Sequence, residues 1–325
     1  MMLKFNKIKL VETGGNTQSE NSSPAQEDIQ VKQGNSANGN VSRSQLHGLW
    51  ALTNRELKKW YKVPMLLFLS LIQPVLWLGL FGKALNFGGL FTGGGFNIPG
   101  LNIPKAVLDQ LANTFMQNTF GTTDYFSFLS VGMLTFVILF TAMFSGMSIV
   151  WDRRFGFLNK VLSTPVARGS IVMGKVFSSV IRSLVQAVIV LIIAVLLGMN
   201  ISDFSVIGIL GTFVALFLMT FGFSSLFLML ALRSGDYQTQ MAIVNLINLP
   251  LLFGSNVLFP AKFMPDWLQY FVQINPISYG TDVGRQLLLS AAGMNTLAFD
   301  FAYLIGFAAI FSVIGIVLSW RFLTK

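Results

Sequence analysis

Residues 126–150 read FSFLSVGMLTFVILFTAMFSGMSIV, without a single charged side chain. A helix needs about 20 apolar residues to cross the hydrocarbon core of a bilayer, and only helices and closed barrels satisfy their own backbone hydrogen bonds in lipid. The run therefore predicts a transmembrane helix. Five more uncharged runs lie at 63–82, 183–202, 204–232, 237–261 and 301–320. We therefore predict an all-α integral membrane protein with six transmembrane helices.

The composition supports this class and excludes several others. The chain is 53% hydrophobic and only 11% charged, whereas soluble domains carry about a quarter charged residues. It has no cysteine and one histidine, which excludes disulfides and cysteine or multi-histidine metal sites. The net charge of +9 is better explained by basic residues beside membrane spans than by nucleic-acid binding.

The distribution of basic residues predicts the orientation. With six spans both termini lie on one side, and that side receives most of the lysines and arginines. The opposite side receives only Lys83, Lys105, Lys262 and Arg285, while Arg182 falls at a boundary. Because basic loops stay in the cytoplasm, we expect both termini to be cytoplasmic in a multi-pass protein of the plasma membrane.

The N-terminal region divides into two parts. Residues 1–42 are rich in Asn, Ser, Gln and Gly, and we expect a disordered cytoplasmic tail followed by a membrane domain over 43–325. Residues 44–61 predict a basic amphipathic helix lying on the bilayer surface, and the alternative is a helix packed on a soluble domain. Its apolar face holds Leu46, Leu49, Trp50, Leu57, Trp60 and Tyr61.

The sequence offers little chemistry of its own. No aspartate or glutamate falls inside the six uncharged runs, which counts against a proton-coupled carrier. His47 is the only histidine, so a Ser-His-Asp site is excluded. Residues 169–176, GSIVMGKV, imitate a phosphate-binding loop, but Val176 replaces the Ser or Thr that holds magnesium. We therefore expect no catalysis and no cofactor or metal bound by this chain.

The cytoplasmic segment after the second predicted span suggests a contact site. We predict a helix over 152–164, ended by Pro165, with Phe155, Leu158 and Leu162 on one apolar face. Such a helix suits either a groove in a partner protein or the membrane surface, and the residues alone leave both open. The candidate contact residues are Asp152, Arg153, Arg154, Phe155, Gly156, Phe157, Leu158 and Lys160.

A second candidate site precedes the last predicted span. Prolines break this part of the chain into short pieces, and short helices at membrane depth occur where protein or a water-filled cavity covers their backbone. We predict a re-entrant or translocation segment, and the alternative is an outer loop with aromatic anchors. The candidate residues are Pro260, Pro265, Trp267, Asn275, Pro276, Tyr279 and Arg285.

Three motifs in order resemble the type 2 ABC transporter permeases (ABC-2 type), and most nearly the drug-resistance branch typified by daunorubicin export. They are QPVLWLGLFG at 73–82, WDRRFGF at 151–157 followed by TPVAR at 164–168, and NPISY at 275–279. The resemblance covers about 44–325. Arg154 departs from the pattern, because that family normally has a glutamate there.

The resemblance implies a permease subunit that exports lipids, glycans or amphipathic drugs. It implies a dimer with a second, identical or different, permease chain, and a separate cytoplasmic ATPase that binds Mg-ATP and contacts the 152–164 helix. The chain itself would not be an enzyme. The alternatives are a secondary transporter or channel without an ATPase, and a membrane scaffold that transports nothing.

Overall fold

The computed structural model describes residues 45–85, 104–164, 166–201, 205–234, 236–291 and 293–322. Within these residues the chain is helical, with no strand, which confirms the predicted all-α class; the predicted tail, 1–42, lies outside them. The α-helices are α1 Gln45–Tyr61, α2 Pro64–Trp77, α3 Lys105–Phe120, α4 Tyr125–Arg154, α5 Phe157–Leu162, α6 Arg168–Leu196, α7 Val206–Arg233, α8 Tyr237–Phe253, α9 Asp266–Ile274, α10 Pro276–Leu289 and α11 Leu297–Phe322.

Four of these helices, α4, α6, α7 and α11, are long and apolar enough to cross a membrane. Helix α2 continues into a π-helical turn, Leu78–Gly82, and its apolar part is shorter. Helix α8 has 17 residues. The chain is therefore a membrane protein with four candidate spans among the described residues, and the count of six stays a prediction.

Helix α4 is the centre of the bundle. It is buried along most of its length and packs against α6, α7 and α10. At Gly146 a β-carbon would lie only 2.6 Å from the carbonyl oxygen of Phe227 in α7. Glycine is required there because the two backbones approach too closely for any side chain.

Polar side chains around the buried Gln186 join α2 to the bundle. Gln186 of α6 donates a hydrogen bond to Ser70 Oγ at 2.6 Å, and the Thr141 hydroxyl of α4 donates to Gln186 Oε1. Each such interhelical bond is worth about 0.6–2 kcal/mol in a membrane protein. This three-residue chain therefore holds α2 beside α4 and α6.

Helix α6 differs most from the predicted spans. The uncharged run 183–202 predicted its position, whereas the helix begins at Arg168 and ends at Leu196. Lys175 and Arg182 therefore lie inside the helix. The difference arises because the folded protein accommodates these two cations within the helix. A rule that looks only for uncharged runs cannot recognise such residues.

Helix α1 packs along α6. Its Leu52 Cβ lies 3.0 Å from where a β-carbon on Gly174 would stand, and Thr53 and Glu56 are buried. Trp50 and Tyr61 are exposed, which suits a helix at the bilayer surface. Its placement on the membrane stays a prediction.

Candidate functional site

The chain turns sharply at the end of α4. Helix α4 ends at Arg154, Phe155 caps it, and Gly156 adopts a left-handed φ of 68° before α5 begins at Phe157. Left-handed glycine commonly ends a helix. The single helix predicted over 152–164 is therefore divided in two. Asp152 lies in the last turn of α4 instead of beginning a new helix.

A cluster of five charged side chains lies beside this turn. Lys175 Nζ of α6 lies 2.6 Å from Asp152 Oδ2 and 3.3 Å from Glu56 Oε1. Arg55 and Lys59 of α1 pair with the same two carboxylates at 3.0–3.3 Å. We call these five residues the ionic cluster. Because Lys175, Asp152 and Glu56 are buried, the cluster joins α1, α4 and α6 at this end of the bundle.

Two of the predicted contact residues face inward. Leu158 is buried and packs in an apolar cluster with Ile149, Val161 and Ile171. The guanidinium of Arg55 lies 3.3 Å from the centre of the Phe157 ring. Of the predicted apolar ridge, Leu158 therefore faces the protein's own core, whereas Phe155 is exposed. Amphipathic spacing identified a buried face here, because apolar side chains on a short helix pack inward whenever a core is within reach.

Arg153 also acts within the fold. Its guanidinium donates to the carbonyl oxygens of Leu232 and Ser234, both at 3.1 Å. These carbonyls lie at the C-terminal end of α7, where backbone acceptors lack helical partners and a cation is favourable. Arg153 therefore fastens α7 to the end of α4.

The remaining side chains at the turn are exposed. Phe155 is 78% exposed and Trp151 is 51% exposed, while Arg154 and Lys160 are also exposed. Trp151 stacks on Tyr237, with ring centres 6.3 Å apart. We call Trp151, Arg154, Phe155 and Lys160 the docking patch. It combines two large aromatic rings with two cations.

The segment that imitates a phosphate-binding loop is helical. Residues 169–176 belong to α6 from its first turn, and Lys175 Nζ is held by Asp152, Glu56 and Ser148 Oγ. A phosphate-binding loop instead presents free backbone amides and a lysine to the phosphates. Lys175 is therefore a member of the ionic cluster.

Short helices follow α8, as the prolines predicted. Pro260 precedes a 3-10 turn, Ala261–Phe263, and Pro265 precedes α9. Asn275 marks the start of α10, where its Oδ1 accepts from Ile277 N at 3.1 Å and Pro276 is the first helical residue. We call residues 254–289 the broken segment. Whether it lines a translocation path stays a prediction.

Asn275 also joins the broken segment to α8. Its Nδ2 donates to the carbonyl oxygens of Leu251 at 2.7 Å and Gly254 at 2.8 Å. Pro250 interrupts the hydrogen-bond pattern of α8 nearby. The Asn275 side chain thus caps the start of α10 and donates hydrogen bonds to carbonyl groups at the C-terminal end of α8.

Arg285 stabilises the turn that follows α8 by donating hydrogen bonds to backbone carbonyls. Its Nη1 donates to Asn256 O at 2.8 Å, and its Nη2 donates to Val257 O at 3.0 Å and Phe128 O at 3.2 Å. Its guanidinium also lies 3.4 Å from the centre of the Phe128 ring. Arg285 is buried. One planar donor group therefore fixes the broken segment against α4.

Of the two aromatic candidates, only Trp267 is exposed. It is 64% exposed, as expected of a residue at the lipid–water boundary. Tyr279 is buried, stacks on Tyr303 with ring centres 3.9 Å apart, and donates its hydroxyl to Gln273 O. Tyr279 therefore joins α10 to α11 and is not a boundary anchor.

The structure also shows a feature that the sequence did not predict. Asp282 and Asp300 are both buried, and both accept a hydrogen bond from Gln286 Nε2. Asp300 lies in the first turn of α11, which is one of the four candidate spans. The uncharged run that predicted this span, 301–320, begins one residue after Asp300, so the rule did not include this carboxylate. Asp282 also lines an open cleft of about 180 Å³ together with Arg285, Lys262, Gln117 and Met294.

Apolar spanning helices, a turn at one end with an exposed aromatic and cationic patch, and a broken segment before the last helix define a membrane permease. The chain belongs to the ABC-2 type transporter family, whose model matches residues 47–289. A putative transport permease, ycf38, of Pyropia yezoensis is 32% identical over 258 residues, covering 78% of each chain.

Two further relatives are named for drug export or resistance. The daunorubicin resistance ABC transporter permease protein DrrB1 of Streptomyces coeruleorubidus is 24% identical, over 59% of this chain and 67% of its own length. The probable multidrug ABC transporter permease YbhR of Escherichia coli (strain K12) is 27% identical, over 53% of this chain and 46% of its own length. These three relatives are all named as transport permeases.

Proposed function

We propose that this permease is the membrane subunit of an ATP-driven exporter, and that a separate cytoplasmic ATPase, which binds Mg-ATP, docks on the docking patch. The observation that carries the proposal is the exposure of Phe155 at the family's coupling motif. A phenylalanine this exposed beside two cations suits a groove with an apolar floor and an acidic rim. A second permease chain, of the same or another sequence, completes the transporter.

The ionic cluster provides a route from the docking patch to the bundle. Phe155 directly follows α4, and Asp152, one turn earlier, pairs with Lys175 of α6 and with Arg55 and Lys59 of α1. A displacement of the turn therefore reaches three helices at once. For ATP to drive a change, the ATPase must bind the patch more tightly in one conformation than in the other.

The proposed cargo is a lipid, a glycan or an amphipathic drug-like molecule carried outward. The names of two relatives support drug export. The broken segment, with its open cleft, is the proposed outer end of the path. A secondary transporter or channel would need no docking patch, and a scaffold would move no cargo.

Changing Phe155 tests the ATPase contact. We expect Phe155→Asp to lower co-purification of the ATPase by about tenfold or more, which corresponds to about 1.4 kcal/mol, because a carboxylate in an apolar groove is unpaired. Transport should be lost with it. Folding should be unchanged, since the side chain is in solvent in this chain alone.

Asn159→Asp is the matched control for Phe155→Asp. It adds the same charge on α5, at an exposed position outside the docking patch, and should leave the complex intact. Wild-type co-purification and transport in Phe155→Asp would contradict the proposal. Leu158→Asp is unsuitable as a test, because it would disrupt the buried side of α5.

The proposed orientation places the docking patch in the cytoplasm and the broken segment outside. In intact cells a cysteine at Asn159 should be shielded from an impermeant thiol reagent, and a cysteine at Asp266 should be labelled. The chain has no native cysteine, so the background labelling is zero. Labelling of Asn159→Cys alone would reverse the orientation.

A further inference from the structure

Two buried carboxyl groups meet where α10 packs on the first turn of α11. Asp282 is 4% exposed and Asp300 is fully buried. One amide nitrogen, Gln286 Nε2, donates to Asp282 Oδ2 at 3.3 Å and to Asp300 Oδ2 at 2.8 Å. The Asp300 carboxyl is also within hydrogen-bonding reach of Asp282. The two groups therefore share one small site.

Within the described residues, no cation forms an ion pair with either group at 4.0 Å or less. Arg285 lies one turn after Asp282, but its two terminal nitrogens donate to backbone carbonyls. Lys262, which lines the same cleft, donates to Asn118 O at 3.1 Å. The Arg285 charge still favours the ionised form of Asp282, but with no direct ion pair to either carboxyl group, ionising both of these buried neighbours is costly in free energy.

An unpartnered oxygen points to what the site binds. Asp300 Oδ1 is buried and has no hydrogen-bond partner within 3.5 Å among the described residues, while the Asn295 side chain also acts on this carboxyl group. Asp282 Oδ2 instead accepts from Met294 N at 2.7 Å. An ionised carboxylate can only accept, and a protonated one can donate. A buried oxygen that has no donor, and lies beside a second carboxyl group, is explained if it carries a hydrogen.

We propose that Asp282 and Asp300 form a proton-binding site, in which one proton is held between the two carboxyl groups and fastens the broken segment to α11. When the proton leaves through the open cleft to solvent, two carboxylates remain. Their repulsion loosens α10 and the Met294 loop from α11. The proposal does not depend on the ATPase partner.

Other groups near the pair do not change charge in the same range. The titratable and charged residues on the surrounding elements are Tyr279 and Arg285 of α10, Tyr303 of α11, Tyr125 of α4, Lys262 before α9, and Asp124, the cap of α4. Helix α7, which also packs on α10, has only Arg233, at its far end. Burial lowers the pKa of the Arg285 guanidinium to about 9, and a tyrosine hydroxyl ordinarily titrates near pH 10, so both lie above the range in which a carboxyl pair titrates.

Thermal unfolding of the full-length chain in lipid nanodiscs tests the site. A proton bound more tightly by the folded state than by the unfolded chain makes stability fall as the pH rises through the titration of the pair. We expect the wild-type Tm to fall by about 2 °C or more between about pH 5.5 and pH 8.5. Asp300→Asn supplies a neutral donor in place of the protonated carboxyl, so it should remove most of that fall. Asp109→Asn, at an exposed position on α3, should keep it.

Infrared spectroscopy of the wild-type chain provides a second measurement that needs no variant to fold. At neutral pH we expect a carbonyl band of a protonated carboxylic acid, and Asp300→Asn should remove it. The absence of this band in the wild type would overturn the proposal. So would an unchanged pH dependence of Tm in Asp300→Asn, or a rise in wild-type Tm on adding Na⁺ or Ca²⁺ without the acid band, which would make the pair a metal site.

Discussion

Lys175→Met is expected to lower the free energy of unfolding by about 1.5–3 kcal/mol, because the buried carboxylates of Asp152 and Glu56 lose the charge-assisted hydrogen bonds of their buried cation and keep only the partly exposed Arg55 and Lys59. Lys175 Nζ lies 2.6 Å and 3.3 Å from these groups. Arg55 and Lys59 cannot replace it, since they approach from the side that solvent reaches. Chemical denaturation of the purified chain in detergent measures the loss.

The control for Lys175→Met is the same substitution elsewhere in the ionic cluster. The Lys59 side chain is 46% exposed, so water can compensate its loss and Lys59→Met should cost about 1 kcal/mol or less. Equal losses of unfolding free energy in the two variants would show that the burial of Lys175 does not increase its contribution to stability. If this chain bound ATP saturably and Lys175→Met abolished that binding, Lys175 would instead be a nucleotide ligand.

Arg285→Met is expected to lower the free energy of unfolding by about 2–4 kcal/mol, because the carbonyl oxygens of Asn256 and Val257 lose their donors in a buried turn. These residues lie outside any helix, so no backbone amide replaces the guanidinium. Arg285→Lys should recover less than half of the loss, since an ammonium cannot reproduce the planar fork. The turn should also become accessible to protease.

Lys262→Met tests whether any cation of this cleft has the same effect. Lys262 is exposed and donates a single hydrogen bond to Asn118 O, so its loss should cost about 1 kcal/mol or less. If Lys262→Met destabilised the chain as much as Arg285→Met, the positive charge in the cleft would account for the loss of stability. The three hydrogen bonds from Arg285 to carbonyl oxygens would then not account for it.

The helices were largely predictable from the sequence, because long uncharged runs have few other solutions in lipid. The second predicted span, 126–150, lies within Tyr125–Arg154, and the first, 63–82, matches α2 with its π turn. Reading helices from uncharged runs failed where a charged residue lies inside a helix. The start of α6 was predicted 15 residues too late, because Lys175 finds its partner carboxylates 23 and 119 positions away.

The candidate sites were predicted less well, since their chemistry depends on contacts that spacing does not show. One helix was predicted over 152–164, without the turn at Gly156, and helical periodicity cannot tell whether Leu158 faces a partner or the protein's own core. Asp282 and Asp300 are 18 positions apart and meet only because the loop between α10 and α11 reverses the chain. Arg285 was named as a candidate of the predicted re-entrant segment, but its role as the donor to three carbonyls required the fold.

Helix α4 is one uninterrupted element between the two sites. It starts beside the cleft, where the Tyr125 hydroxyl donates to Leu258 O at 3.0 Å, and it ends at Asp152 in the ionic cluster. Its 30 residues give a length of about 45 Å. A rod of that length behaves as a lever: a tilt of about 5° about one end carries the other end about 4 Å. A tilt of this kind would open or close the cleft without any change in the helix itself.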